Sequence, residues 1–366
     1  MQRKLVAFVL AALASGAVFA QSNVQVYGVV DVGFSHRGDN VNRRVGSQNA
    51  IDSGISSGTR IGFKGAEDLG SGLKVLWTLE AGFAADTGEH KQNDRLFGRQ
   101  AFVGLSGAFG TALAGRQDAP FHNLLSDLDP FHGGTVGRYR NTFAAGANTG
   151  GENLFEPYRL DNAVLYTTPD FSGLSIAVAY SNNAIGQEAV GNAGDYRILN
   201  IVPRYTNGAL SLGVSWHRIQ SEDGDNVNIH NWMLGGAYDF GVVKLSAFYD
   251  ENKWNDAMNV ANNDLKLKDW MIGLTAPFGK HAIQAAYNQS RLSWHDDSGK
   301  ARQWSLGYTY TLSRRTSFYA AIADLHNDKS RKTPGLLSTR AASLSDTDNP
   351  GNGYQSGFQF GVKQVF

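Results

Sequence analysis

Strict alternation of apolar and small polar residues recurs along this chain, and a period of two dictates strands rather than helices. Leu174, Ile176, Val178 and Tyr180 are interleaved with Ser175, Ala177, Ala179 and Ser181, and Leu210, Leu212, Val214 and Trp216 with Ser211, Gly213, Ser215 and His217. Trp304, Leu306, Tyr308 and Tyr310 alternate with Gln303, Ser305, Gly307 and Thr309, and Ile283, Ala285 and Tyr287 with Gln284, Ala286 and Asn288. Successive side chains of a strand point to opposite faces, so each segment has one greasy, aromatic face and one small, polar face. In a soluble sandwich the polar faces look out to bulk water and tend to carry Lys, Glu and Arg. Here they are mostly Ser, Gly, Ala, Thr, Asn and Gln. Such faces suit a crowded, water-filled interior, with the apolar faces turned to lipid.

No stretch beyond Ala20 approaches a transmembrane helix in length or apolarity. That does not make the chain soluble, because a membrane barrel hides from hydropathy by alternating the two kinds of residue. Short turn signals fall at 68–72, 106–110, 169–173, 206–208, 239–241, 276–279 and 312–315, several with an aromatic at the tip: Phe109, Phe171, Phe240 and Phe278. Interfacial aromatics of this kind form one end of a membrane belt. Longer polar segments lie near 36–56, 85–94, 117–158, 183–197, 220–227, 252–264, 291–301 and 324–354. Seven short and eight long connections join 16 strands, and an even count returns both termini to the short-turn side. The expected fold is therefore all-β, a 16-stranded antiparallel transmembrane barrel with short turns at one end and long loops at the other. The strands are read at 24–35, 57–68, 73–84, 95–106, 110–116, 159–168, 173–182, 198–206, 209–219, 228–239, 241–251, 265–276, 280–290, 302–312, 315–323 and 355–366.

Residues 1–20 read as a secretory signal peptide: Arg3 and Lys4, an apolar run from Leu5 to Leu13, then small residues and Val18-Phe19-Ala20 before the polar Gln21. The apolar run breaks at Ser15-Gly16, short of the roughly 20 residues a membrane helix needs. One barrel domain would then occupy 21–366. There is no cysteine in 366 residues, which excludes disulfides, thiol catalysis and cysteine-ligated metal. A closed sheet, in which every backbone group is paired, is another way to hold a secreted chain together. Without Arg3 and Lys4 the chain carries 31 basic against 33 acidic residues, and nothing in that balance suggests a nucleic-acid binder.

The chain ends Phe358-Gln-Phe-Gly-Val-Lys-Gln-Val-Phe366, an alternating strand with an aromatic carboxy-terminus. Together with Val24-Gln-Val-Tyr-Gly-Val-Val-Asp31, Ser57-Gly-Thr-Arg-Ile-Gly-Phe-Lys-Gly-Ala-Glu-Asp-Leu-Gly70 and Arg99-Gln-Ala-Phe-Val-Gly-Leu105, it resembles the general trimeric porins of Gram-negative outer membranes. Within them the resemblance is nearest to the anion-preferring porins of β-proteobacteria, and it spans the whole mature chain. It implies an outer-membrane homotrimer of barrels that passes small hydrophilic solutes and ions by passive diffusion, in contact with outer-membrane lipid and without a cofactor. It also implies an assembly signal at Phe366 and a third loop, here 117–158, folded inward as a constriction.

In the resembling porins, wall arginines face acids on or near that loop. Loop 117–158 holds Asp118, Asp127 and Asp129, with Pro120 and Pro130 stiffening its course. By parity Arg60 points inward, opposite to Ile61 and Phe63. Arg159 shares its face with Asp161 and Ala163, Arg116 follows Ala112 and Ala114 on the inner face, and Glu80 follows Thr78. Arg99 is ambiguous: alternation from Ala101, Val103 and Leu105 turns it outward, a bulge or a place at the strand top would turn it in, and Arg95 is a rival. A mid-wall arginine facing lipid would cost roughly 2 to 4 kcal/mol, which favours the lumen for Arg60 and Arg159.

Other chemistry finds little support. The nine histidines lack metal-ligand spacing, Gly70-Ser-Gly72 is followed by no helix that could make it a phosphate loop, and no Gly-x-Ser-x-Gly elbow occurs. An outer-membrane hydrolase would need a Ser/His/acid group at a rim. A soluble lectin-like sandwich would need a richly charged polar face. The sequence offers neither, so no enzyme activity is expected.

Overall fold

The structure is a computed structural model that describes residues 23–38, 47–142, 148–149, 152–153, 155–186, 195–221, 227–255, 264–294, 297–327 and 354–366. The signal-peptide reading of 1–20 lies outside the described residues. Sixteen wall strands form one closed antiparallel sheet. They are β1 (Asn23–Gly38), β2 in two parts (Gln48–Ser53 and Arg60–Gly70), β3 (Leu73–Gly82), β4 (Gln100–Gly107), β5 (Gly110–Asp118) and β6 (Arg159–Thr167). Then come β7 (Leu174–Ser181), β8 (Tyr196–Asn207), β9 (Leu210–Ser221), β10 (Asn228–Asp239) and β11 (Lys244–Trp254). The wall ends with β12 (Leu265–Phe278), β13 (His281–Trp294), β14 (Asp297–Thr311), β15 (Thr316–Asn327) and β16 (Ser356–Val365). Each strand pairs with its sequence neighbours, and β1 closes on β16 from Val29↔Val365 to Gly38↔Ser356. No edge is left to be satisfied in lipid, where an unpaired backbone group costs several kcal/mol.

Alternation sorts the faces as the composition requires. Val103, Val164, Leu234, Ile272, Leu306 and Phe360 are exposed on the outside, while Ser181, Asn200, Ser215, Asn231, Gln303 and Ser305 are buried on the inside. Phe109, Phe171, Phe240 and Phe278 stand exposed at the short turns. Cross-strand pairs Trp216↔Trp232 and Tyr287↔Trp304 add outward aromatics further along the wall from those turns.

Three local expectations change. The segment 291–301 is mostly wall, because β13 runs to Trp294 and β14 starts at Asp297. The wall at 95–106 starts only at Gln100, residues 95–99 lying outside any strand. The long loop contains a helix, α1 (Pro120–Leu128), with proline at its first turn and Ala119 as N-cap. Proline suits that place because the N–H it lacks has no intrahelical partner. The Phe121 N–H is satisfied by Asn200 Oδ1 on β8, at 3.0 Å. Pro130 follows the helix end and disfavours its continuation.

The main apolar core lies between this loop and the inner wall, a consequence of the outward-facing grease. Phe121, Leu124, Leu125, Leu128, Phe131 and Tyr139 are buried against Ile198, Ile219, Met233, Phe248 and Met271. Wall glycines make the seat. A Cβ on Gly213, Gly235, Gly273 or Gly307 would stand 2.4–2.6 Å from Leu124, Leu128, Pro130 or Phe131 respectively, so the loop lies flush on the wall.

Candidate pore constriction

With the loop occupying one side of the interior, the polar groups of β2–β6 border the remaining space. Arg60 stands where β2 re-enters the wall, with Ile61 and Phe63 exposed outside. Its Nη1 donates to Gly58 O at 2.8 Å and to Ser57 Oγ at 3.2 Å, and its Nε lies 3.4 Å from Glu80 Oε2. Glu80, buried on β3, also accepts from Arg99 Nε at 2.6 Å and from the Tyr27 hydroxyl at 2.9 Å. Arg159 and Asp118 are cross-strand partners whose Nε and Oδ1 are 3.1 Å apart, and Gln100 Nε2 donates to Asp118 Oδ2 at 3.0 Å. Asp161 takes two arginines: Arg95 Nη1 at 2.8 Å from both carboxylate oxygens, and Arg116 Nη1. The result is an interleaved array of Arg60–Glu80–Arg99, Asp118–Arg159 and Arg116–Asp161–Arg95. Like-charged guanidinium groups this close would repel, and the intervening carboxylates offset that repulsion.

Two arginines reach the lumen by routes that alternation did not indicate. Arg99 precedes β4, in a bend whose N–H donates to Glu80 O at 3.1 Å. The strand parity that would have turned it outward does not apply there. Arg116 was expected to follow Ala112 and Ala114 on the inner face, but those alanines pair with Leu105 and Val103 and face outward. A register shift between Gly115 and Gln117, with Gly115 at φ 129°, breaks the alternation and swings Arg116 inward.

Of the three acids expected on the loop, Asp118 ends wall strand β5 and meets Arg159, whereas Asp127 and Asp129 do not meet these arginines. Asp127 is 62 % exposed on α1 and pairs with Arg204 of β8 at 2.6 Å. Asp129, at the C-cap of α1, accepts the N–H groups of Phe131, Gly133 and Tyr139 at 3.0, 2.9 and 3.4 Å. It is a buried brace inside the loop, and burial pushes its carboxyl up to about 6 against the pull of those donors. The acids facing the arginines are the wall residues Glu80, Asp118 and Asp161. Asp161 could have been found from the sequence, since it shares the inner face of β6 with Arg159. Glu156, also missed, braces the loop: Arg140, His122 and the Tyr139 hydroxyl surround it. Burial pushes its carboxyl up, but Arg140 and His122 outweigh that and hold it below the usual range.

The array borders a cavity of about 1010 Å³. Arg60, Lys91, Arg95, Arg99, Arg116, Arg138, Arg159 and Lys363 line it, against Glu89, Asp94, Asp118 and Asp161. Gln284, Thr309 and Ser317 of β13 to β15 line it as well, with Lys363 of β16 beside Ser317. A closed barrel whose interior keeps such a space matches known proteins closely. Residues 7–330 match the Gram-negative porin family.

The chain belongs to that family. The porin is 31 % identical to outer membrane porin protein 32 of Delftia acidovorans over 380 residues, covering all of both chains. It is 34 % identical to an outer membrane porin of Bordetella pertussis over 276 residues, 68 % of this chain and 69 % of that one. A solved structure, the anion-selective porin from Comamonas acidovorans, superposes with a TM-score of 0.78 at 28 % identity, covering 94 % of this chain and 100 % of that one. The porin is thus an outer-membrane β-barrel, and its family and fold are those of channel proteins.

Proposed function

We propose that this porin is a homotrimeric general diffusion channel that passes small hydrophilic solutes and prefers anions, and that Arg60, Arg99, Arg116 and Arg159 with Glu80, Asp118 and Asp161 form its selective constriction. The observation that carries the reading is the excess of basic over acidic side chains around the cavity. The precursor as a whole is formally neutral, so selectivity rests on local arrangement. Fixed cations at a narrow point lower the energy of a passing anion. The likeness to a solved anion-selective porin supports the same reading. In a KCl gradient, single-channel recording of the purified porin is expected to give a reversal potential on the anion side. A value at zero or on the cation side would overturn the reading.

Asp161 provides a second check. Asp161→Asn removes one negative charge beside two arginines and is expected to strengthen anion preference. It should also cost roughly 1–3 kcal/mol of barrel stability, because partly buried guanidinium groups lose a charged acceptor. Reversal potential and the temperature of heat denaturation on gels read the two effects. A shift toward cations would remove Asp161 from the constriction.

The trimer has its own test. A sheet that leaves no edge in lipid should give a β-type circular dichroism spectrum in detergent, and the assembly should migrate as a trimer on unheated gels and as a monomer after boiling. A monodisperse monomer in plain buffer would refute it.

A further inference from the structure

The wall is interrupted between the two parts of β2, and the residue beneath the interruption is a buried acid. β1 pairs with both parts of β2, through Val32↔Ser53 above and Val29↔Arg60 below. Only Val30 and Asp31 lie between those positions on β1, whereas residues 54–59 lie between them on β2. The surplus backbone turns inward, and Ser56, Ser57 and Gly58 line the cavity.

Asp31 clamps this segment from both ends and from the middle. Its carbonyl accepts from the Gly54 N–H at 2.8 Å and the Thr59 hydroxyl at 3.0 Å, and its own N–H donates to Thr59 Oγ1 at 3.1 Å. Its carboxylate is fully buried. Oδ2 accepts the successive N–H groups of Ser56 and Ser57 at 2.9 and 2.7 Å, and Oδ1 accepts the Tyr319 hydroxyl of β15 at 2.5 Å. Adjacent N–H groups converging on one anion fix the backbone that carries them.

The clamped segment in turn supports both sides of the constriction. Ser57 Oγ and Gly58 O hold Arg60 Nη1, and a Cβ on Gly58 would stand 2.8 Å from Arg99 Nη1. On the other side, Ile55 O accepts the Thr135 N–H of the long loop at 2.5 Å. Gly134 approaches so closely that a Cβ there would lie 2.2 Å from Ser56 O.

We infer that Asp31 is a positioning residue for the constriction, its carboxylate and backbone holding segment 54–59 so that Arg60 and Arg99 face the cavity and the tip of the long loop stays docked. The inference rests on the anion-preferring reading of the cavity.

The test uses the purified full-length porin in planar bilayers and starts with the wild type, whose reversal potential alone decides the anion reading. Asp31→Ala is expected to lower the anion-to-cation permeability ratio about twofold, the size of one unit charge moved away from an ion some 8 Å distant, and to raise conductance as the loop tip loosens. Thr59→Val leaves every charge in place and should shift both quantities in the same direction. Asp31→Asn, whose amide oxygen can still accept both N–H groups, should retain wild-type values. Loss of charge alone predicts the opposite sign for Asp31→Ala, toward greater anion preference, and no change for Thr59→Val. Either of those results would overturn the inference, as would an Asp31→Ala porin made in lower amount yet conducting like the wild type. If Asp31→Ala does not assemble, Thr59→Val decides the question. If the wild type shows no anion preference, the conductance of the two loosened variants still tests whether Asp31 holds the constriction.

Discussion

Replacing Arg60 and Arg159 together with serine is expected to move the reversal potential in a KCl gradient toward cation preference, with conductance changing much less. Both guanidinium groups border the cavity, and each is held there by a carboxylate, Glu80 for Arg60 and Asp118 for Arg159. The double variant therefore removes two positive charges and also leaves two acids less compensated, and both changes disfavour anions. Two unit charges about 8 Å from a permeating ion alter its free energy by roughly 1 kcal/mol at the dielectric of water, a factor of about five in relative permeability. The Debye length is about 8 to 10 Å in physiological salt and about 3 Å at 1 M, so the shift should shrink as salt is raised. An unchanged reversal potential in the double variant would mean that these side chains do not set selectivity.

The second large effect concerns assembly. Deleting Phe366, or replacing it with a charged residue, should lower the amount of porin in outer-membrane fractions several-fold, while molecules that do assemble conduct as the wild type does. The last residue exchanges two backbone hydrogen bonds with Gly28, both at 3.1 Å. Its ring lies over that glycine, where a Cβ would stand 2.4 Å from Cζ. Half-burying one aromatic ring contributes roughly 1–2 kcal/mol, too little to unfold a closed barrel. A several-fold loss of protein would therefore point to recognition during assembly, and equal amounts of wild type and variant would refute that role.

The wall was legible in the sequence because period-two alternation is a local property, which the backbone of each strand imposes by itself. Parity gives Arg60, Glu80 and Arg159 the inner face, and they stand there, although Arg60 opens the second part of β2 and Arg159 lies beyond a register shift against β5. Arg116 stands on the inner face as expected, though not through Ala112 and Ala114, which face outward; a register shift beside Gly115 is what turns it in. Arg99, which alternation leaves ambiguous, stands in a bend ahead of β4. Neither feature leaves a periodic trace. Asp127 and Asp129 were misassigned because their partners, Arg204 and the backbone of the loop itself, are chosen by how the loop folds. The inward segment 54–59 was likewise hidden, since its shape depends on a buried carboxylate in a different strand.

Closure between β1 and β16 also governs how such a chain comes to exist. Ser35 and Gln359 are hydrogen-bonded at 2.8 Å, yet they stand 324 residues apart. Bringing ends that distant together carries an entropic cost of about 5 kcal/mol by the logarithmic law for flexible loops, and no partial wall recovers it. Until the last strand arrives, any incomplete sheet has two open edges and a greasy outer face, the combination that templates aggregation in water. The chain must therefore be kept from folding until it is whole and lipid is at hand, and the final pairing is the step on which its rate of maturation turns. Once made, the same seam works in reverse: no strand can fray from an end, and the sheet opens only by parting a full ladder within the membrane.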